Sequence, residues 1–406
     1  MHTVTRRNFL SGCAGIGGAG LFAATTTFTW PQLIGIAQAE PLTDGDGILV
    51  LVTMYGGNDG INTLAPLADS AYHDARPELA YSPEELIALD DDYGLNPEMK
   101  GLAEMFSGGS LAIVRGVGYP KPDRSHFRSM DIWQSGTLDN GVNTGWVGRW
   151  LDGSDGDPVR ALCIGSVLPR LAIGENVTAG AFSTQIVPPT NFKEFAESLS
   201  RHDPADNHPM KLVRNSYGSL PIVADALAPL LKDTDDGAPV SEAGEGSKGL
   251  DVQLNAVAKC ISAGLPTRVY SVSIGGFDTH ADEREDHRRL IGIVDRAITR
   301  FIKKMEGDRY GKNVVLMAYS EFGRRVQANA SDGTDHGTAG PVFVAGRAVR
   351  GGYFGDEPSL TDLDDGNLKV TTDFRDIYSE LLSETLQADP EPIVGRGRAH
   401  LGFLKT

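Results

Sequence analysis

Carboxylate and imidazole side chains recur along this sequence in short polar stretches, each next to an apolar run. The stretches carry Asn58 and Asp59; Arg124, Ser125 and His126; Asp278 and His280; Glu321; and Asp335 and His336. Oxygen and imidazole donors with few or no cysteines suit a hard or borderline divalent ion such as Mn, Zn, Mg or Ca. The set as a whole therefore predicts a divalent-metal centre.

Each stretch also has a simpler interpretation. Asp59 precedes a glycine, and aspartate and glycine favour turns. Glu321 can form an ion pair with Arg324 or Arg325, and His126 can be a packed histidine. The metal hypothesis depends on the joint pattern and not on one residue.

Ser125 is the natural nucleophile in this set. A serine hydroxyl is a weak nucleophile at its free pKa, and metal coordination is one way to activate it. The neighbouring Arg124 can bind an anionic substrate oxygen in a fork. The alternative interpretation of Ser125 is a helix N-cap.

Apolar runs rich in β-branched residues predict the strands that would position these side chains. The runs are 48–55, 111–117, 161–165, 268–275, 314–320 and 341–346. Uninterrupted runs of this kind are typical of strands covered on both faces, as in a parallel sheet. Because ligands of open α/β sheets bind outside the carboxyl ends of the strands, the polar stretches are expected to converge at one edge.

Helices are predicted between the strands. The stronger one spans roughly 283–306, where apolar residues recur at three- and four-residue spacing. Another begins at Pro97, with Asn96 as its cap. This alternation of strands and helices predicts a doubly wound α/β domain.

Residues 1–39 are predicted to be a twin-arginine signal peptide and not part of the fold. Arg6 and Arg7 precede a weakly apolar, glycine-rich run, and an Ala-Gln-Ala cleavage site follows. The remainder, 40–406, is predicted to be a single domain that the twin-arginine translocase exports to the periplasm or beyond. Within it, the polar and acidic stretch 232–249 predicts a mobile loop.

Charge and cysteine content limit the partners and the compartment. The formal net charge is -17, which argues against a nucleic acid or an anionic membrane as partner. Cys163 and Cys260 follow the predicted signal peptide. An oxidising compartment permits a disulfide between them, and two buried thiols are the alternative.

Several segments together resemble the domain-of-unknown-function 1501 family of exported bacterial proteins. They are YGGNDGINTLAPLADSAYHDARPELA, RSHFRSMDIWQSG, GGFDTHADEREDH, SEFGRR and GTDHGTAGPVFVAG. The resemblance covers essentially the whole mature chain. That family is placed in the alkaline phosphatase-like superfamily, together with sulfatases and cofactor-independent phosphoglycerate mutase. The resemblance implies a three-layer α/β sandwich with a mostly parallel central sheet and a metal centre at the strand ends.

The superfamily pattern, carried over by resemblance, assigns roles to particular residues. The metal ligands it implies are Asp59, Asp278, His280, Glu321 and His336. His287 is an alternative to His280. Ser125 would be the nucleophile, with Arg124 holding the anion. Phe322 stands where the pattern has a second histidine ligand, so one metal ion is expected instead of two.

The function predicted from the sequence is that of an exported metal-dependent hydrolase of phosphate or sulfate esters. Its substrate would be an anionic small molecule or polymer, and Ser125 would attack phosphorus or sulfur while the metal polarises the ester oxygen. The alternative is a non-catalytic exported binding or structural protein that keeps the fold and one metal. Phe322 favours that alternative.

Overall fold

The structure, a computed structural model, describes residues 26–27, 41–165, 168–182, 204 and 249–405. The predicted signal peptide lies outside the described residues, apart from its residues 26–27. The predicted loop at 232–249 also lies outside them, apart from Gly249.

The strands and helices of the described residues follow one another in a mixed α/β order. The strands are β1 Thr26–Thr27, β2 Ile48–Met54, β3 Leu64–Pro66, β4 Ile87–Ala88, β5 Tyr93–Leu95, β6 Leu111–Gly118, β7 Ala161–Ile164, β8 Gly180–Phe182, β9 Val269–Ile274, β10 Val314–Tyr319, β11 Arg324–Ala328, β12 Thr334–His336, β13 Gly340–Ala345, β14 Gly352–Phe354 and β15 Thr372–Asp373. The α-helices are α1 Gly60–Thr63, α2 Ser70–Ala75, α3 Lys100–Ser107, α4 His126–Ser135, α5 Trp146–Asp152, α6 Gly249–Ser262, α7 Glu283–Glu306, α8 Phe374–Glu380 and α9 Glu391–Val394. Short 3-10 turns at Pro158–Arg160, Arg170–Ala172 and Gly311–Asn313 and a π-helical turn at Leu381–Thr385 complete the description.

A large central sheet organises the molecule. Its strand order is β1-β8-β7-β9-β2-β10-β13-β6-β14, and β15 pairs with β6. Its described neighbours pair in parallel except at β13, which is antiparallel to both β10 and β6. The sheet is therefore mostly parallel, as predicted. The antiparallel direction of β13 is not predictable from the sequence, because its apolar run resembles those of the parallel strands.

Two hydrophobic layers cover the central sheet. Alternate residues of β2 face opposite sides: Ile48 and Val50 belong to one core cluster, and Leu49 and Leu51 to the other. Helices α3, α6 and α7 pack in the first cluster, and α4, α5, α8 and α9 in the second. Because both faces are covered, β2 is apolar at nearly every position, and the arrangement is a three-layer α/β sandwich.

The two predicted helices differ in how well the sequence placed them. The apolar face at 283–306 is confirmed as α7, Glu283–Glu306. The prediction that Asn96 caps a helix beginning at Pro97 is wrong, because α3 begins at Lys100. The Asn96 carbonyl instead accepts a hydrogen bond from the Met99 N–H at 2.9 Å, so this segment forms a turn before the helix.

A short strand lies inside the predicted signal peptide. Thr26 and Thr27 pair in parallel with Gly180 and Ala181 at the edge of the central sheet. Removal of residues 1–39 would therefore leave β8 as that edge. Among the helices of the described residues, none combines the length and the apolar character required to cross a bilayer.

The parallel strands bring several loops to one edge of the sheet. The carboxyl ends of β2, β6, β9 and β10 lie at this edge, because these strands run in the same direction. The antiparallel strand β13 begins there. The small β11–β12 hairpin follows β10. The polar stretches singled out in the sequence all lie in these connections.

Candidate functional site

Four side chains meet at this edge: His126, Asp278, His280 and His336. The Oδ1 atom of Asp278 lies 3.3 Å from Nε2 of His126, 3.1 Å from Nε2 of His280 and 3.2 Å from Nε2 of His336. The Nε2 atoms of His280 and His336 are 3.0 Å apart. We call these four residues the Asp278 cluster.

The other ring nitrogen of each histidine faces an oxygen atom. Nδ1 of His126 is 2.7 Å from Oε1 of Glu321, and Nδ1 of His336 is 2.8 Å from the backbone carbonyl oxygen of Arg124. Nδ1 of His280 is 3.6 Å from Oδ1 of Asp335. A carbonyl oxygen only accepts hydrogen bonds, so Nδ1 of His336 carries a hydrogen. In its neutral form the ring then presents a lone pair at Nε2.

This arrangement fits a divalent cation. Lone pairs on imidazole Nε2 atoms that converge on a carboxylate oxygen repel one another unless a positive charge lies among them. The Nε2 atom of His126 is buried and has no hydrogen-bond partner. Metal-bound histidines commonly donate the other ring N–H to a carboxylate or a backbone carbonyl, and both kinds of acceptor are present here. The ligand atoms of His126, Asp278 and His336 all lie within 4.8 Å of one another.

Different elements deliver the members of the cluster. His126 is the first residue of α4, in the connection that follows β6. Asp278 and His280 follow β9, and His336 ends β12, where it pairs with Arg324 of β11. The cluster therefore exists only when three separate connections are folded against one another.

The buried guanidinium of Arg324 ties these connections together. It donates hydrogen bonds to the carbonyl oxygens of Gly56, Gly57, Phe277 and Thr334. Its Nη2 also lies 2.9 Å from Oδ1 of Asp278. Arg324 thus fixes the Asp278 carboxylate while holding the loops after β2 and β9 against the β11–β12 hairpin.

Glu321 contacts the cluster through His126 and is not a member of it. Its buried carboxylate accepts hydrogen bonds from the Gly56 N–H at 2.9 Å and from the Ser320 hydroxyl at 3.0 Å. The same Oε1 contacts His126. Glu321, predicted as a ligand, is placed to orient the His126 ring. Phe322 is buried and packs against His126 and His336, with ring centroids 4.8 and 5.0 Å away.

Electrostatics at the cluster favour an ionised Asp278 and a basic His126. Burial raises the pKa of Asp278, but the hydrogen bond from Arg324 and the positive charge of Arg324 oppose burial, and the pKa is lowered to about 2. The hydrogen bond to Glu321 raises the pKa of His126 above 6.5 and exceeds the opposing effect of burial. Asp278 is 49% exposed, so the cluster remains accessible from solvent.

The structure does not bring Asp59, another predicted ligand, to the cluster. Asp59 is fully buried, and its Oδ2 lies 2.5 Å from Nη1 of the equally buried Arg76. Burial raises the pKa of Asp59, but attraction to Arg76 and His287 outweighs it and lowers the pKa to about 2. Asp59 is therefore held in a fully buried ion pair, whereas Asp278, which also contacts an arginine, is half exposed.

A buried polar network surrounds that ion pair. Burial, with a contribution from the neighbouring Asp59 charge, raises the pKa of Glu283. The Thr334 hydroxyl donates to Oε2 of Glu283 at 2.5 Å. His287 lies in the same network, with Nε2 3.0 Å from Oδ1 of Asn58, and burial lowers its pKa to about 4. Between the two alternatives left by the sequence, the cluster thus contains His280 and not His287.

Ser125 and Arg124 lie beside the cluster. Ser125 occupies the N-cap position of α4, but its hydroxyl makes no capping hydrogen bond. Its backbone N–H donates to Oδ1 of Asp123 at 2.8 Å. Arg124 supplies the carbonyl oxygen for His336, and its exposed guanidinium lies 3.7 Å from Asp365. Both side chains are open to solvent.

Cys163 and Cys260 are not members of the Asp278 cluster. Cys163 and Cys260 are buried free thiols. Burial raises the pKa of each thiol to about 12. Of the two alternatives drawn from the sequence, the structure has two buried thiols.

Comparison with known proteins supports the predicted family. Residues 254–395 match the family described as protein of unknown function, DUF1501. The match covers about a third of the chain. The matched segment carries Asp278, His280 and His336, whereas His126 lies outside the matched range. Comparison with curated proteins gives no match.

Several solved structures are distantly similar to this chain over most of its length. A protein in the alkaline phosphatase superfamily from Vibrio parahaemolyticus is 10% identical over 88% of this chain and 71% of its own, with a TM-score of 0.42. Murine ectonucleotide pyrophosphatase/phosphodiesterase 5, in complex with AMP, is 11% identical over 85% and 96%, with a TM-score of 0.40. The lipoteichoic acid synthase LtaP from Listeria monocytogenes is 9% identical over 80% and 74%, with a TM-score of 0.37. The predicted three-layer α/β class is confirmed by the mostly parallel central sheet and by the helices on both of its faces.

Proposed function

We propose that this protein is a metal-dependent hydrolase of phosphate or sulfate esters, with Ser125 as its nucleophile. The observation that carries the proposal is the convergence of imidazole Nε2 atoms on Oδ1 of Asp278, with distances of 3.1 to 3.3 Å. Each opposite ring nitrogen faces an oxygen acceptor. The uncapped hydroxyl of Ser125 directly precedes one of these histidines.

His126, Asp278 and His336 would hold the cation, and His280 is placed to join them. A divalent ion held there would supply Lewis-acid polarisation of an ester oxygen and would offset negative charge in the transition state. Glu321 keeps Nε2 of His126 directed at Asp278 by binding its Nδ1. The donor set of imidazole and carboxylate suits Zn or Mn, and it contains no cysteine.

Ser125 Oγ would attack phosphorus or sulfur. The bond between phosphorus or sulfur and the alcohol oxygen breaks. The serine proton passes to solvent, and the departing alcohol oxygen takes a proton from water. A water molecule then cleaves the ester formed on Ser125 and releases phosphate or sulfate. The N-terminus of α4 carries partial positive charge, and Arg124 is exposed beside it. Both stabilise an anionic group at this position.

The test is Ser125→Ala, assayed on a panel of phosphate and sulfate monoesters with metal content measured in parallel. We expect turnover to be abolished while the bound metal is unchanged, because Ser125 is not a member of the cluster. Ser70→Ala is a matched control, since Ser70 is also an exposed serine at the start of a helix. Retained hydrolysis in the Ser125 variant would remove the nucleophile from the proposal.

A non-catalytic binding protein is the second candidate, and His280 favours it. With His280 included, the chain offers four donor side chains around one point. Structural metal sites are commonly closed by four protein ligands, whereas catalytic sites keep one position open. A fully loaded protein that hydrolyses no ester of the panel would favour this candidate.

We also propose that the chain is exported by the twin-arginine pathway. The support is the Arg6-Arg7 pair with the glycine-rich apolar run behind it. Replacement of both arginines by lysine, followed by cell fractionation, tests the proposal. Accumulation of the full-length chain in the cytoplasm is expected, and undiminished export would contradict it.

A further inference from the structure

Phe127 is exposed to an unusual degree for its residue type. Its side chain is 90% exposed. Among the described residues, the other exposed large apolar side chain is Val252, at 42%. An exposed aromatic ring gains nothing from the hydrophobic effect in the folded protein.

The position of Phe127 links it to the Asp278 cluster. It directly follows His126 on the first turn of α4, and it lies two residues after Ser125. Because successive residues of a helix point in different directions, His126 reaches the cluster while Phe127 faces solvent. Arg124, Ser125 and Phe127 are all exposed, and they lie with the cluster residue His126 within four consecutive residues, so a cation, a hydroxyl and a ring immediately flank a member of the cluster in the chain.

The backbone that carries Phe127 is held in place. The Tyr119 hydroxyl accepts a hydrogen bond from the Asp123 N–H at 3.0 Å and contacts the Ser129 hydroxyl at 3.0 Å. Ser129 in turn donates to the carbonyl oxygen of Glu321 at 2.5 Å. These hydrogen bonds fix the first turn of α4 to the end of β10, so the backbone that carries the Phe127 ring is held in place.

We propose that Phe127 is a specificity residue that stacks on a ring in the alcohol half of the substrate. The inference rests on the proposed function and deepens it, because it names the substrate class as phosphate or sulfate esters of ring-bearing alcohols. Phenylalanine has no polar group, so it recognises the flat face of a ring and not a particular hydrogen-bond pattern. The anionic half of the ester would lie at the cluster and Arg124, and the ring would cover Phe127.

The experiment compares binding of phenylphosphonate and methylphosphonate to the metal-loaded full chain by calorimetry. The two probes share an anionic head that cannot be hydrolysed as an ester, and they differ in the ring. Wild type is expected to bind phenylphosphonate more tightly. Phe127→Leu keeps an apolar side chain without a ring, and it is expected to reduce that preference about threefold to tenfold. Phe127→Tyr is expected to retain the preference, and Val252→Ala serves as the control at a second exposed apolar position.

Each outcome decides between the two proposals. Equal affinity of wild type for both probes, or a preference that survives Phe127→Leu, overturns the stacking role and leaves the hydrolase proposal intact. Failure of wild type to bind either probe removes the anion site, and both proposals fall together. A change of oligomeric state in Phe127→Leu with an unaltered preference would assign the ring to contact with a second copy of the chain, which also overturns stacking.

Discussion

Nδ1 of His126 lies 2.7 Å from Oε1 of Glu321, a carboxylate oxygen that also accepts a hydrogen bond from the Gly56 N–H at 2.9 Å. Glu321 is buried, whereas the Asp278 carboxylate on the other side of the ring is half exposed. The imidazole therefore stands between one carboxylate that orients it and another that shares its candidate ion. The sequence pattern predicts both Glu321 and Asp278 as ligands. In the structure Glu321 orients His126, whereas Asp278 belongs to the cluster.

Glu321→Gln is expected to weaken metal binding about tenfold to a hundredfold, as is typical when an outer carboxylate partner of a ligating histidine is lost. The physical reason is that glutamine lacks the negative charge that makes His126 a stronger electron-pair donor to the metal ion. Competition with a chelator of known affinity measures the change. Glu357→Gln alters an acidic residue that is 55% exposed and pairs with Arg115, and its affinity should match wild type. Equal affinities in all three proteins would show that Glu321 does not act through His126.

Asp278→Ala and His336→Ala are each expected to abolish tight metal binding, because each removes a donor from the centre of the cluster. Elemental mass spectrometry of protein purified without chelator is the measurement, and wild type is expected to carry about one ion per chain. His400→Ala removes an exposed histidine on the C-terminal segment and should not change the metal content. Two ions in wild type would contradict a single centre. A folded wild-type protein without metal would contradict the hydrolase proposal itself.

Asp59→Asn is expected to lower the free energy of unfolding by about 3 kcal/mol, since breaking a buried ion pair leaves the other charge uncompensated. Arg76 would be that charge, buried beside the lost partner. Metal content per folded chain should stay constant. Denaturant titration and elemental analysis give the two readouts, with Asp44→Asn as the control. Asp44 pairs with Arg309 at the surface, where such pairs contribute little to the free energy of unfolding. Loss of metal without loss of stability would make Asp59 a ligand after all.

Glu283→Gln is expected to become more stable relative to wild type as the pH rises. In the unfolded chain Glu283 loses its proton near its ordinary pKa of 4.5, whereas burial and Asp59 keep it protonated to higher pH in the folded protein. The folded state then binds more protons above pH 4.5, so the free energy of unfolding of wild type falls with rising pH, at most by about 1.4 kcal/mol per pH unit. Glutamine does not titrate, so the free energy of unfolding of Glu283→Gln does not fall in this way.

Urea denaturation of wild type and Glu283→Gln at pH 6 and pH 8 measures the effect. The advantage of the variant should be larger at pH 8. A constant difference between the two proteins would mean that Glu283 ionises normally. The pKa of His287 is lowered by burial, so His287 destabilises the fold only as the pH falls below 6.5 and affects both proteins equally.

Much of the central architecture follows from local sequence patterns. The apolar run of β10 and the helical spacing in α7 depend on which residues face the core, so their types and periods reveal them. The sequence predicts the start of α3 too early, because Asn96 and Pro97 have the chemistry of a cap but form a turn. The antiparallel direction of β13 depends on its connections and leaves no mark in its composition.

The cluster was only partly visible in the sequence. Asp278, His280 and His336 lie next to strand ends, and that position signals a ligand at the edge of an α/β sheet. His126 also follows a strand, but its sequence context is equally consistent with a packed histidine. The capture of Asp59 by Arg76 depends on a contact between residues 17 positions apart. No local pattern predicts such a pairing.

The hydrogen bonds of the Arg324 guanidinium limit how far the loops at this edge of the sheet can change independently of one another. The guanidinium binds carbonyl oxygens from the loop after β2, the loop after β9 and the β11–β12 hairpin at once. A chimaera that exchanges one of these loops would remove an acceptor from Arg324 and displace the other two. Transplanting a new specificity into this scaffold therefore requires all three loops to be replaced together, whereas the exposed Phe127 can be substituted singly while His126 is kept.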